Sequence, residues 1–263
     1  MEKITSLQNT RIKNIIALQE KSRERRKQQL FVIEGFREIN LAIEGGYVIQ
    51  SIFACTELSG ALALLGRLPD NIAVYETNKP VFDKIAYREN SDGLLALAIP
   101  RNLDLNDIKL SDNLFVIILE AIEKPGNLGA ILRTADAAKV DAVIVCDPLC
   151  DVYNSNVIRS SIGCLFTNQV VTCTSDQALK WLHNNGILSY ATELTASQWY
   201  HQTDMAKPCA IVMGTEADGL TGFWLQNADV HIKIPMRGKI DSLNVSVSMA
   251  ILTFEAMRQR GFM

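Results

Sequence analysis

The second half of the chain is punctuated by short runs that are almost wholly apolar: Leu114–Leu119, Ala142–Cys146, Val170–Cys173, Ile187–Thr192, Cys209–Met213 and Val230–Ile234. A strand apolar on both faces has no side to turn toward water, so it belongs inside a sheet that is covered above and below. Between these runs, residues 127–138, 175–185 and 244–260 read as helices. The last carries an alternation of Val245 and Val247 with Ser246 and Ser248 that suits a strand. The spacing of Val247, Ala250, Ile251, Phe254 and Met257 continues at three and four residues, which selects helix. Strand and helix in alternation predict an α/β fold with a mostly parallel sheet.

The first hundred residues predict a smaller α/β unit. Residues 7–29 read as one helix, with Leu7, Ile12, Ile15, Ile16 and Leu18 forming a partial apolar face. Apolar runs at Leu30–Ile33, Val48–Phe53, Ile72–Tyr75 and Leu94–Ile99 alternate with helix-like stretches at 36–44, 58–66 and 79–86. The polar segment RNLDLNDIKLSDN then reads as a linker. A boundary within it gives domains 1–103 and 104–263, two units of ordinary size for 263 residues. Internal repeats are absent.

No apolar run approaches the ~20 residues needed to span a bilayer, and no apolar stretch follows the N-terminal charges, so a cytoplasmic protein without a membrane segment is expected. The six cysteines form no CxxC pair and read as small buried hydrophobes. Three scattered histidines predict no metal site.

Charge is distributed unevenly. Residues 1–40 hold nine Lys/Arg against five Glu, a balance of +4, which leaves −7 for the remainder of a chain whose net charge is −3. Arg23, Arg25, Arg26 and Lys27 are too tightly clustered to share one narrow helix stripe. Two readings are open: a solvated helix face, or a contact with a polyanion such as RNA, in which cations neutralise phosphates.

Ligands on parallel sheets bind beyond the carboxyl ends of the strands, which directs attention to the loops after Leu119, Met213 and Ile234. The first, EAIEKPGNLGAILRTADAA (120–138), turns at Pro125-Gly126 and offers Asn127 as a helix cap or as a functional amide. Arg133 lies six residues on, nearly two turns, on broadly the same side. Small and apolar neighbours leave it either a surface cation or a partly enclosed one. The second, IVMGTEADGL (211–220), brackets Thr215–Asp218 between Gly214 and Gly219, where the backbone can turn tightly or approach a ligand. The third, IPMRGKIDSLNVSVSMAI (234–251), is a strand, an exposed Arg-Gly-Lys segment, and Ser242 or Asn244 as cap of the final helix. There is no GxGxxG, no GxxxxGK[ST] and no GxSxG, so dinucleotide, P-loop and hydrolase readings lack their central element.

Together the three segments resemble the motifs of the SpoU (TrmH-type) RNA ribose methyltransferases. Asn127–Thr134 resembles the first motif, Gly214–Leu220 the second, and Ile234-Pro235-Met236 with Ser242–Ser246 the third. The stretch beginning FVIEGFREINLAIEGG is similar to that family's ribosomal-protein-like substrate-binding domain. The resemblance implies a trefoil-knotted α/β methyltransferase domain behind a smaller RNA-binding domain. It implies methyl transfer from S-adenosylmethionine to a ribose 2′-hydroxyl of RNA, with ribosomal RNA favoured, and a homodimer.

By position, Thr192, Gly214, Ile234, Met236 and Leu243 would contact the cofactor. Arg133 is implied as the catalytic residue. A guanidinium stays protonated in almost any setting, which suits it to stabilising a developing alkoxide. Asn127, Glu216, Ser242 and Asn244 match the family's other functional positions, Glu216 being expected to fix Arg133 by a charge-assisted hydrogen bond. Arg23, Arg25, Arg26 and Lys27 would serve RNA. A transfer-RNA methyltransferase, a non-catalytic RNA-binding or ribosome-assembly factor, and a small-molecule nucleotide enzyme remain as alternatives.

Overall fold

The computed structural model describes residues 2–58, 60–69 and 71–262, arranged in two units. One comprises the chain up to Arg101 together with Asp151–Thr167; the other comprises Asn102–Cys150 and the chain from Asn168 on.

The first unit is built from β1 (Glu2–Ile4), α1 (Thr10–Glu20), α2 (Ser22–Gln28), β2 (Phe31–Glu34), α3 (Phe36–Glu44), β3 (Ile49–Ala54), α4 (Ala61–Leu65), β4 (Ala73–Thr77), α5 (Lys79–Ile85) and β5 (Leu94–Ala98). The strands run in the order β1-β4-β3-β5-β2, with β5 antiparallel to both neighbours and the other pairings parallel. Every predicted apolar run here forms a strand. Strand β1 has no counterpart in the sequence reading, because only Ile4 of its three residues is apolar. Of the predicted stretch 58–66, residues 61–65 form α4 and Ser59 lies outside the described residues.

The single helix predicted over 7–29 is interrupted. Lys21 adopts extended backbone (φ −117°, ψ 110°), so α2 leaves in a new direction. Arg25 accounts for the break. Only 3% exposed, it donates to the carbonyls of Leu18 (2.6 Å) and Gln19 (3.1 Å) at the end of α1, and its Nε donates to Asp151 (2.7 Å). Carbonyls in the last turn of a helix have no partner within it, and a guanidinium folded back from α2 supplies one. This corrects the grouping of Arg25 with the RNA-facing cations; Arg23, Arg26 and Lys27 are exposed. Arg25→Ala is expected to destabilise the protein by about 3 kcal/mol, by leaving buried acceptors unpaired. Arg26→Ala should stay within about 0.5 kcal/mol. Denaturant melts of the two variants check this.

The second unit begins with β6 (Phe115–Glu120), α6 (Pro125–Ala137) and β7 (Ala142–Cys146). The chain then joins the first unit over 151–167, which carries α7 (Ser155–Ser160). The sequence reading places this segment in the 104–263 domain. Its rings decide otherwise: Tyr153 and Phe166 pack on Phe31, with centroids 4.5 and 6.1 Å away, and both also meet Tyr47. Back in the second unit follow β8 (Val170–Cys173), α8 (Ser175–Asn184), β9 (Leu188–Thr192), β10 (Gln198–Trp199), β11 (Cys209–Met213), α9 (Gly222–Asn227), β12 (Val230–Lys233) and α10 (Val245–Gln259).

These strands form one sheet, β10-β12-β9-β11-β6-β7-β8, in which every pairing is parallel. One face buries Val116, Ile118, Ile144 and Val212 under α8 and the indole of Trp224. On the other, α6 packs on β7, α10 packs on β11, and the two helices pack together. Arg260, just beyond α10, is buried. It donates to the carbonyls of Met205, Asn113, Leu114 and Lys207 and lies 5.0 Å from the Phe115 ring centre, so the end of α10 is tied to the loops before β6 and β11. All six cysteines are free thiols, five of them buried. No helix among the described residues is long and apolar enough to cross a membrane.

Candidate active site

Strands β12, β9 and β11 are neighbours in the sheet, and the loops leaving their carboxyl ends enclose a cavity of about 430 Å³, within the size range of small-molecule sites. Leu194, Leu220, Ile234, Met236 and Leu243 give it apolar walls, and Glu193, Glu216, Asp218 and Asp241 bring carboxylates. All five residues that the sequence nominates for a cofactor, Thr192, Gly214, Ile234, Met236 and Leu243, line it, as do Glu216 and Ser242.

Local chemistry shapes each wall. After β11 the chain closes a tight loop: Thr215 and Gly219 exchange backbone hydrogen bonds (2.9 and 3.2 Å), and the Thr215 hydroxyl accepts from the Asp218 amide (3.0 Å). Gly219 adopts φ +69°, which favours glycine, and a Cβ on Gly214 would overlap the Gly219 carbonyl and the Leu220 nitrogen, so position 214 admits no side chain. Glu120, buried at the end of β6, accepts from the backbone amide and hydroxyl of Thr221 (both 2.7 Å) and thereby holds the far end of this loop. The Thr192 hydroxyl donates to the Val212 carbonyl (2.9 Å), which joins the ends of β9 and β11.

Glu216 is the hub that links the three loops. Its carboxylate accepts from the Lys124 ammonium and the Asn127 amide of the first loop and from Asn244 Nδ2 (3.0 Å) of the third. Asn244 also donates to the Asn127 side-chain carbonyl (3.2 Å). Its own side-chain carbonyl caps α10, accepting from the amide (3.0 Å) and hydroxyl (2.6 Å) of Ser246. Of the two caps the sequence offers, Asn244 is therefore the one used. Asn127 is not a cap: α6 starts at Pro125 with Lys124 before it, and Asn127 sits in the first turn with its amide directed at Glu216.

Arg133 stands apart. It is exposed, it does not line the cavity, and no hydrogen bond or ion pair engages it among the described residues. Six residues advance a helix by about 600°, so Arg133 points about 120° away from Asn127 rather than along the same side. Leu132 and Ala135 turn inward and leave the guanidinium outside, so the partial enclosure is not found. The carboxylate expected to fix it, Glu216, binds Lys124 instead.

Among the cavity residues that the sequence does not nominate are Glu193, Leu194, Lys233 and Asp241. The first two directly follow the strand that ends at Thr192, where a search of strand ends finds them. Glu193 is held by His231 (Nδ1 to Oε1, 2.9 Å) and by the Thr195 hydroxyl (3.0 Å). No group of three or more His, Cys, Asp or Glu gathers at metal-binding distance among the described residues.

Comparison with known proteins gives a consistent result. The chain is 28% identical over 97% of its length to the 23S rRNA (guanosine(2553)-2′-O)-methyltransferase RlmP of Bacillus subtilis, covering 98% of that protein. It is 33% identical over 72% of its length to the 23S rRNA (guanosine-2′-O-)-methyltransferase RlmB of Vibrio parahaemolyticus, covering 79% of it. The crystal structure of an AdoMet-bound rRNA methyltransferase from Sinorhizobium meliloti superposes with a TM-score of 0.87 at 28% identity, over 98% of this chain and 97% of that one. Residues 9–96 match the MRM3-like substrate binding domain. With its model matched over residues 114–254, more than half of the sequence, the SpoU rRNA methylase family is the one to which this chain belongs.

Proposed function

We propose that the protein transfers a methyl group from S-adenosylmethionine to a ribose 2′-hydroxyl of ribosomal RNA. The observation that carries this reading is the cavity at the carboxyl ends of β9, β11 and β12, closed by three loops that Glu216 joins. The residues present fit the cofactor. Apolar walls accept an adenine ring and methylenes, the bare Gly214 backbone admits close approach, and four carboxylates complement a ligand carrying sulfonium and ammonium charges. When bound, S-adenosylmethionine supplies an electrophilic methyl group. The rRNA named for the relatives and the substrate-binding domain over residues 9–96 support the substrate class.

The chain's own task is placement and charge. Thr192, Gly214, Ile234, Met236 and Leu243 hold the donor; Asn127, Glu216 and Asn244 keep the loops in register, and Ser242 lines the same wall. Arg133 stabilises the ribose alkoxide and grips an adjacent phosphate. Its distance from the cavity of its own chain supports a homodimer in which a second copy presents it. The exposed Val247 and Phe254, one heptad apart on α10, supply an apolar face for that pairing. The match to the SpoU family over residues 114–254 is what supports that family's trefoil knot here. Arg23, Arg26 and Lys27 in the first unit add phosphate contacts, the second unit carries the chemistry, and the cytoplasm, where ribosomal RNA is modified, is the compartment.

A thermal-shift screen tests the donor. S-adenosylmethionine at about a hundred times its Kd should add roughly 2.7 kcal/mol and raise Tm. NAD and ATP should leave it unchanged, and the reverse result sinks the reading. Glu216→Ala removes the acceptor for one ammonium and two amides, so S-adenosylmethionine affinity should fall about 10- to 100-fold by calorimetry. Lys124→Ala, which breaks an exposed pair, should change it less than about fivefold.

A further inference from the structure

We propose that Trp199 is a stacking platform for a nucleobase of single-stranded RNA, beside the methyl-transfer cavity; this rests on the RNA reading given under the proposed function. Of the three tryptophans, Trp181 and Trp224 are buried in the core, whereas Trp199 is 43% exposed. Its ring lies 5.6 Å from the His201 imidazole, whose other neighbour is Tyr200 at 5.3 Å, so the indole is braced rather than free-swinging.

Its position ties it to the reaction. Strand β10 is an edge strand parallel to β12, and Trp199 is the register partner of Lys233. Lys233 lines the cavity and directly precedes Ile234 and Met236, so Trp199 stands one strand spacing, about 4.8 Å, from the cavity wall at the same carboxyl edge of the sheet.

The surroundings select a nucleic acid as occupant. Lys233, Arg237 and Lys239 follow one another along the adjoining strand and loop, and none forms an ion pair among the described residues, which leaves them for phosphates. An edge of two residues is too short to template an added protein strand. An indole face beside free cations is the arrangement with which proteins hold unpaired bases, largely irrespective of sequence. Held there, a flanking base fixes the strand so that the target ribose enters the cavity; Trp199 is a positioning residue.

The burial of the other two tryptophans makes the test direct. Titrating the full-length protein with a short single-stranded oligouridine should quench its tryptophan fluorescence saturably. Trp199→Phe should abolish the quenching, and Trp199→Ala should weaken oligouridine affinity roughly 5- to 100-fold. In methyl transfer to ribosomal RNA, Trp199→Ala should raise KM for RNA, with kcat within about twofold of wild type and an unchanged S-adenosylmethionine thermal shift. Absence of quenching in the wild type, equal quenching in Trp199→Phe, or unchanged RNA affinity in Trp199→Ala overturns the platform. Unchanged RNA affinity with an altered sedimentation coefficient assigns the surface to a second copy of the chain instead. Failure of the wild type to methylate any RNA refutes the enzymatic reading separately, since quenching is read without turnover.

Discussion

Arg133→Ala is expected to lower kcat for methyl transfer by roughly 10²- to 10³-fold while leaving the S-adenosylmethionine thermal shift intact. The two halves of this result follow from where the side chain lies. Arg133 is exposed, does not line the cavity and forms no hydrogen bond or ion pair among the described residues, so its loss should cost neither donor affinity nor fold. What disappears is a permanent positive charge available to the ribose oxygen as its proton departs. Lysine keeps the charge but not the planar fork, so Arg133→Lys should recover only part of the rate. The rate is measured with saturating donor and RNA, so that a binding defect is not read as a chemical one.

The second large effect is expected at Gly214. A methyl group there meets the carbonyl of Gly219, held by the Thr215 amide in the hydrogen bonds that close the 215–219 loop, and the nitrogen of Leu220 in the same peptide unit. No rotamer change can relieve that overlap, so Gly214→Ala must open the loop and displace Glu216 from its three partners. Loss of detectable S-adenosylmethionine binding is expected, with a fall in Tm of only a few degrees, because the sheet beneath is built from other residues. Gly126→Ala is the contrasting substitution: a Cβ there meets nothing within 4 Å, and donor affinity should hold.

The reason so much of the second unit was legible in its sequence is that a buried parallel strand leaves a compositional mark. Ile117 and Ile118 point to opposite faces and both are buried, so the apolar run is continuous and its ends are sharp. The same logic locates the cavity, since strand ends in such a sheet are where ligands bind. What stayed hidden depends on long-range partners. Nothing near Arg25 announces that it will fold back onto Leu18 and Gln19 and reach Asp151, 126 residues away. The affinity of 151–167 for the first unit depends on rings at Phe31 and Tyr47 that are equally distant. Strand β10, two exposed residues long, carries no periodicity at all.

Within the site, the motif residues Asn127, Glu216 and Asn244 are legible and their mutual hydrogen bonds are not. Charge complementarity pointed Glu216 toward Arg133, whereas helix geometry turns Arg133 outward and leaves Lys124, at the start of α6, as the nearer cation. Lys124 stands in the same loop, three residues ahead of the motif, but a lysine just ahead of a helix carries no local signature of its role.

The central claim is that three loops at one edge of the sheet form a single chamber for methyl transfer to a ribose oxygen. Its most direct test is to incubate the protein with labelled S-adenosylmethionine and ribosomal RNA from a strain lacking it, then map the label. Label confined to a ribose 2′-oxygen in 23S rRNA, and absent with Gly214→Ala, is the result expected. Label on a base, or no label on any RNA supplied, would contradict the account.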